Sequence, residues 1–181
     1  MNEIELKFKI DDYSKIYQKL LQMGCIFEKN IEQKDTVFFS KDNKNYDIKF
    51  QTIVIRTRII NNTIKQVTLK KRASDVCACK EIEFSVENSE KIDEFLCSLG
   101  FAKTIEFTKK RIQTTFEEFN ICFDEIDELG NYIEIEIITK DNDIQLYKNK
   151  ILDFAKYIGI DTNDIESRYY PQIILSKQKG R

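Results

Sequence analysis

Glu3-Ile4-Glu5-Leu6-Lys7, close to the amino terminus, is the stretch whose reading decides the fold. Side chains alternate between the two faces of a β-strand, so Glu3, Glu5, Lys7 and Lys9 share one face. Ile4, Leu6, Phe8 and Ile10 share the other. The apolar face can enter a core, while the charged face, taken alone, fits a strand that looks at water. Recurrence changes that reading. Glu-Ile-Glu returns at Glu81-Ile82-Glu83 and at Glu134-Ile135-Glu136, each time flanked by apolar residues in alternation.

The 181 residues suit one domain with a substantial core. With 41% apolar and 33% charged residues, and with 13 Phe and 8 Tyr, the composition is globular rather than disordered. The net charge of -2 gives no global reason to expect nucleic acid or an anionic membrane as partner. There is no apolar run of about eighteen residues and no charged-then-apolar leader, so the chain reads as soluble and cytoplasmic; a monomer or homodimer is expected. Five cysteines (Cys25, Cys77, Cys79, Cys97, Cys122) read as reduced, small apolar side chains. The chain has no His, which makes a zinc site hard to build and removes every Ser-His or Cys-His nucleophile pair. Chemistry here must run on carboxylates, Lys, Arg and a metal.

The pattern along the chain predicts strands and helices in turn. After the first strand, Asp11 or Asp12 caps a helix through Met23 with Ile16, Leu20 and Met23 at helical spacing, and Gly24 stops it. Residues 25–40 read as extended, and 41–46 as a loop. Residues 52–60 form a strand with Arg56 and Arg58 on one face and Ile53, Ile55, Thr57 and Ile59 on the other. Asn61-Asn62 signals a hairpin into residues 63–69. Lys70-Lys71-Arg72 ends that strand, 73–75 turn, and 76–86 carry the second Glu-Ile-Glu. Ser89 caps a helix with Ile92, Phe95, Leu96 and Leu99 on its apolar side, closed by Gly100. Residues 101–116, 120–126 and 131–139 are extended, with a turn at Leu129-Gly130. A helix over 143–158 ends at Gly159, followed by a short helix, an extended piece around Pro171 and a frayed tail from 176 to 181. Residues 1–175 read as one domain. The expected fold is α+β, mainly antiparallel: about eight strands in a sheet closed or nearly closed on itself, with helices on its outer apolar face.

Taken by parity, the charged faces hold two sets of residues. The acids are Glu3, Glu5, Glu81, Glu83, Asp124, Glu134 and Glu136. The bases are Lys7, Arg56, Arg58, Lys70, Arg72, Lys109 and Arg111. If these faces line the inside of a barrel, each charge needs a partner, because an unpaired buried charge costs on the order of several kcal/mol. One solution is direct pairing across the interior. The other is a ligand with a metal: clustered carboxylates suit Mg2+ or Mn2+, and a set of Arg and Lys suits a polyphosphate. A triphosphate carries about four negative charges near neutral pH, which suits this many cations better than a monophosphate does.

The motifs resemble those of the CYTH domain, the triphosphate tunnel metalloenzymes. Glu3-x-Glu5-x-Lys7 is similar to the family's opening signature, and Asp35-Thr36-Val37-Phe38-Phe39 to its Asp-Thr-Tyr-Phe stretch. Ile55-Arg56-Thr57-Arg58, Thr68-Leu69-Lys70, Lys109-Lys110-Arg111 and Phe123-Asp124-Glu125-Ile126 follow in the family's order, ahead of Leu129-Gly130 and Glu134-Ile135-Glu136. The resemblance implies an eight-stranded antiparallel tunnel, packed outside by helices, that binds a triphosphate and a divalent metal within. The ending Glu166-Ser167-Arg168-Tyr169-Tyr170-Pro171-Gln172-Ile173-Ile174 resembles the class IV adenylyl cyclase branch, with Tyr169 where that branch has Ser and Cys79 where it has Arg.

Carried over by position, the resemblance makes Glu3, Glu5, Asp124, Glu134 and Glu136 the metal-binding acids, for a pair of Mg2+ or Mn2+ ions, with Glu5, Asp124 and Glu134 the foremost direct ligands because Mg2+ also keeps waters and phosphate oxygens. Glu5, Lys7, Asp124 and Glu134 become the catalytic set. Lys7, Arg56, Arg58, Lys70, Lys109 and Arg111 would hold the phosphates, with Glu81 and Glu83 either orienting Arg or Lys side chains or standing as simple surface acids. ATP is the expected substrate, converted to cyclic AMP and pyrophosphate. Hydrolysis of thiamine triphosphate or tripolyphosphate, and non-catalytic binding of a nucleotide or polyphosphate, are the alternatives.

Overall fold

The computed structural model describes residues 2–43, 52–72, 78–127 and 129–179, without the side chains of Arg72 and Lys179. The turn expected at 73–75, part of the loop expected at 41–46, Cys77 and the contacts of Arg72 lie outside the described residues. The strands are β1 (Asn2–Ile10), β2 (Ile31–Ser40), β3 (Ile53–Ile60), β4 (Ile64–Arg72), β5 (Ala78–Ser85), β6 (Phe101–Phe116), β7 (Phe119–Ile126) and β8 (Gly130–Thr139). The helices are α1 (Ser14–Gln22), α2 (Ser89–Ser98), α3 (Ile144–Ile158) and α4 (Tyr170–Lys179). The strands hydrogen-bond in the order β1-β5-β4-β3-β2-β6-β7-β8 as a closed barrel, the antiparallel α+β fold expected from the alternation. No helix among the described residues is long and apolar enough to cross a membrane.

The chain divides into two compact units, Met1–Ile31 with Lys110–Ser167, and Glu32–Lys109 with Arg168–Arg181. In the first, β8 pairs with β1 on one side and with β7 on the other. Ile4, Phe8, Ile133, Ile135 and Ile137 are buried, and α3 lies against β1 and β8, contributing Ile151, Phe154, Ala155 and Ile158 to the core. The Phe154 ring stacks on Phe119, with centroids 4.2 Å apart. Asp143 caps α3 by accepting from the Leu146 N–H, and Gly159 ends it at φ +97°. Nothing lies within 4 Å of a Cβ built at Gly159, so Gly159→Ala meets only the left-handed backbone penalty. It should lower stability by about 1 kcal/mol, read as a shift in the urea midpoint at unchanged slope.

In the second unit, β3 pairs with β2 and β4, and β4 with β5. Asn61 and Asn62 both take positive φ, 49° and 59°, as the expected tight hairpin requires. Phe38, Ile55 and Val67 form one core with Leu96 of α2, joined by Ile92 and Phe101.

Local expectations are corrected at several places. The N-cap of α2 is Asn88, whose side chain accepts from the Lys91 N–H, so Ser89 is already helical. Phe95 and Leu99, expected on the buried side of α2, are 58% and 60% exposed; Leu96 alone in that helix is buried. Asp12 does not cap α1 directly: its carboxylate accepts from the Ser14 N–H, and the helix begins at Ser14. The strand at 25–40 begins only at Ile31. The largest difference is at the carboxyl end, where α4 runs through Lys179 in place of an extended piece and a frayed tail. Pro171 is compatible because it sits in the first turn, where a backbone N–H has no intrahelical acceptor.

Helix α4 also departs from the expectation that helices cover only the outer face. Ile174 and Leu175, with Tyr169 just ahead of the helix, pack on Val37, Phe39 and Ile105, as Val54 and Phe107 do. Val37 is the register partner of Arg56, so this is the charged face of the strands.

Candidate active site

In the first unit the register brings the charged residues of β1 and β8 face to face. Glu5 lies opposite Glu136, and Lys7 opposite Glu134. Glu3 shares that strand face beside Ile138. On β7, Asn120 and Cys122 lie opposite Glu136 and Glu134. The Asn120 amide donates to Glu136 at 3.5 Å. Lys7 is buried, with its Nζ 4.0 Å from Glu134.

Arg111 of β6 ties this group together. Its Nε and one terminal nitrogen donate to the two oxygens of Asp124, each at 2.6 Å, and the same terminal nitrogen meets Glu134. Burial acts against the guanidinium charge, but Asp124 and Glu134 outweigh it and raise the Arg111 pKa well above its ordinary value. Arg111, expected on a phosphate, here makes a two-pronged clamp on carboxylates. Arg supplies such a fork where Lys would not.

In the second unit Arg56, Arg58 and Lys70 are held by acids on other strands. Arg58 donates from Nε and a terminal nitrogen to the two oxygens of Asp35, at 2.6 and 2.7 Å. Asp35 is 2% exposed. Burial opposes its charge, but Arg58, Arg56 and Lys109 prevail and hold its carboxyl below the ordinary carboxylate pKa. Arg56 donates to the Thr68 hydroxyl at 3.0 Å, and that hydroxyl donates to Glu83 at 2.8 Å. A terminal nitrogen of Arg56 also lies 3.6 Å from Glu83. Lys70 pairs with Glu81. Lys109 is 3% exposed, with its Nζ 5.2 Å from the centre of the Tyr170 ring.

The residues singled out by parity therefore gather on one face within each unit: Glu3, Glu5, Lys7, Arg111, Asp124, Glu134 and Glu136 in the first, and Arg56, Arg58, Lys70, Glu81, Glu83 and Lys109 in the second. Two further participants have no role in the sequence reading. Asp35 alternates with Val37 and Phe39, and a lone acid in such a row is the available signal. Tyr170 gives none, because its contact with Lys109 depends on where α4 packs.

The family profile of the CYTH domain matches residues 1–170. The chain belongs to the CYTH family. A Methanocaldococcus jannaschii protein with a provisional adenylate cyclase name is 26% identical over 176 residues, 96% of this chain and 98% of that one. Among solved CYTH-like structures, a Pyrococcus horikoshii protein superposes with a TM-score of 0.80 at 26% identity, covering 94% of this chain and 98% of its own. A Hippeastrum protein, described as an adenylyl cyclase candidate with dominant triphosphatase activity, superposes with a TM-score of 0.64 at 17% identity, covering 98% and 95%. CYTH proteins are metal-dependent enzymes of triphosphates, adenylate cyclases or triphosphatases, so the chain's substrate class is a triphosphate.

Proposed function

We propose that this CYTH protein is a class IV-type adenylyl cyclase, converting ATP to cyclic AMP and pyrophosphate. The observation that carries the metal-dependent part is the facing pair Glu5 and Glu136. Like charges directly opposite on a sheet repel, and carboxylate oxygens so placed suit Mg2+ or Mn2+. Glu3, Glu5 and Glu136 would hold the metal, with Asp124 and Glu134 oriented by Arg111 at the same face. When bound, the metal supplies charge neutralisation on the phosphates and lowers the pKa of the attacking hydroxyl.

The chain's own side chains do the positioning. Arg56, Arg58, Lys70 and Lys109 would bind phosphate oxygens, and Asp35, Glu83, Glu81 and Tyr170 hold those four in place beforehand. Such preorganisation reduces the ordering left to substrate binding. In the reaction the ribose 3′-hydroxyl gives up its proton to solvent as its oxygen bonds to the α-phosphorus, the bond from that phosphorus to the bridging oxygen breaks, and pyrophosphate leaves in line. The name carried by the Methanocaldococcus jannaschii relative supports this reading, as does the resemblance of residues 166–174 to the cyclase branch.

The second reading is hydrolysis of a triphosphate, thiamine triphosphate or tripolyphosphate included. The activity described for the Hippeastrum protein favours it, and so does Cys79 at a position where the cyclase branch has Arg. Incubation with Mn2+ and ATP, thiamine triphosphate or tripolyphosphate in parallel, with the products resolved, separates the two. Cyclic AMP with pyrophosphate from ATP is the expected result; orthophosphate together with the matching diphosphate (ADP, thiamine diphosphate or pyrophosphate), and no cyclic AMP, would replace the cyclase with a hydrolase.

A further inference from the structure

The charged face of the second unit changes character from one end to the other. At the end marked by Val37, Phe39 and Val54, residues of α4 cover the strands. Arg56 and Arg58 come next along β3, opposite Thr68 and Gln66 of β4. Beyond Arg58 the same face carries Ile60, with Ile64 opposite on β4 and Gln33 opposite on β2. The face thus runs from an apolar stretch under a helix, through the cations, to an end of uncharged side chains.

Gln33 is 4% exposed, and its side-chain oxygen finds no hydrogen-bond donor among the described residues. A buried acceptor without a partner costs stability, which an apolar residue of similar size would avoid. Such a group calls for an explanation, and a ligand that supplies the missing donor is one.

We propose that Gln33 reads the organic end of the triphosphate by accepting a hydrogen bond from an amino group on a heterocyclic ring. This rests on the reading of Arg56 and Arg58 as phosphate ligands. With phosphates at those cations, α4 covers one continuation along the face, and the other passes Gln33 and Gln66 beside Ile60 and Ile64. Apolar side chains suit the faces of a flat ring, and an amide suits its edge, because it accepts from an exocyclic amine and donates to the adjacent ring nitrogen. Adenine and an aminopyrimidine both present such an edge. Tripolyphosphate presents none.

The test is equilibrium titration of the whole protein with Mn2+ and either tripolyphosphate or α,β-methylene ATP, which cannot release pyrophosphate. Gln33→Leu should raise the Kd of the nucleotide about tenfold, the loss of one good hydrogen bond, and leave that of tripolyphosphate within about twofold. Gln33→Met, of similar length and without the acceptor, should do the same and serves if the Leu variant folds poorly. An unchanged ratio of the two Kd values in both variants would overturn the assignment of Gln33 alone. Failure of the unaltered protein to bind tripolyphosphate would instead overturn the triphosphate reading, and this inference with it.

Discussion

Glu5→Gln is expected to lower metal-dependent turnover by at least about 100-fold while leaving the protein folded. Substituting groups that merely support a metal ligand costs about 10–100-fold, so loss of a ligand's charge sets a higher floor. The structural context makes the prediction two-sided. Glu5 lies directly opposite Glu136, and removing one of two facing negative charges relieves repulsion worth about 0.2–1 kcal/mol. Activity should therefore fall as the melting temperature holds or rises, which general damage to the fold would not produce. Turnover with saturating Mn2+ and a thermal melt on the same preparation check it. Activity near that of the unaltered protein would remove Glu5 from the metal site.

Parity makes much of this site legible. Because strand side chains alternate strictly, Glu3, Glu5 and Lys7 have to share a face, and register then sets Glu5 against Glu136 and Lys7 against Glu134. Arg56 and Arg58 are readable for the same reason. Which side chains meet across two strands is less so: Asp35 meets Arg58 across 23 residues, and neither strand read alone names its partner. The role of Arg111 is hidden in the same way, since its fork closes on Asp124 of the next strand rather than on a phosphate. Helix α4 escapes a local reading because its apolar residues are few and Pro171 suggests extension. Its helical state is stabilised by packing on Val37, Phe39 and Ile105, contacts that no local propensity encodes.

Asp35→Ala should be the most destabilising substitution in the second unit, costing about 3–5 kcal/mol at neutral pH, as the breaking of a buried ion pair does. Arg58 would remain buried without the carboxylate that accepts from its Nε and one terminal nitrogen. Adding Arg58→Leu should recover much of the loss, since an apolar pair of similar volume needs no compensation, and the double-mutant cycle measures the coupling. The pH dependence has a defined sign. Asp35 has a lowered pKa in the folded protein, so its contribution is fully present above the unfolded value of about 3.9 and is lost as pH falls through the lower folded value. The gap in urea midpoint between the unaltered protein and Asp35→Asn should therefore be widest near neutrality and shrink in acid. A gap that stayed constant across that range would mean that Asp35 contributes through shape and hydrogen bonding, not through its charge.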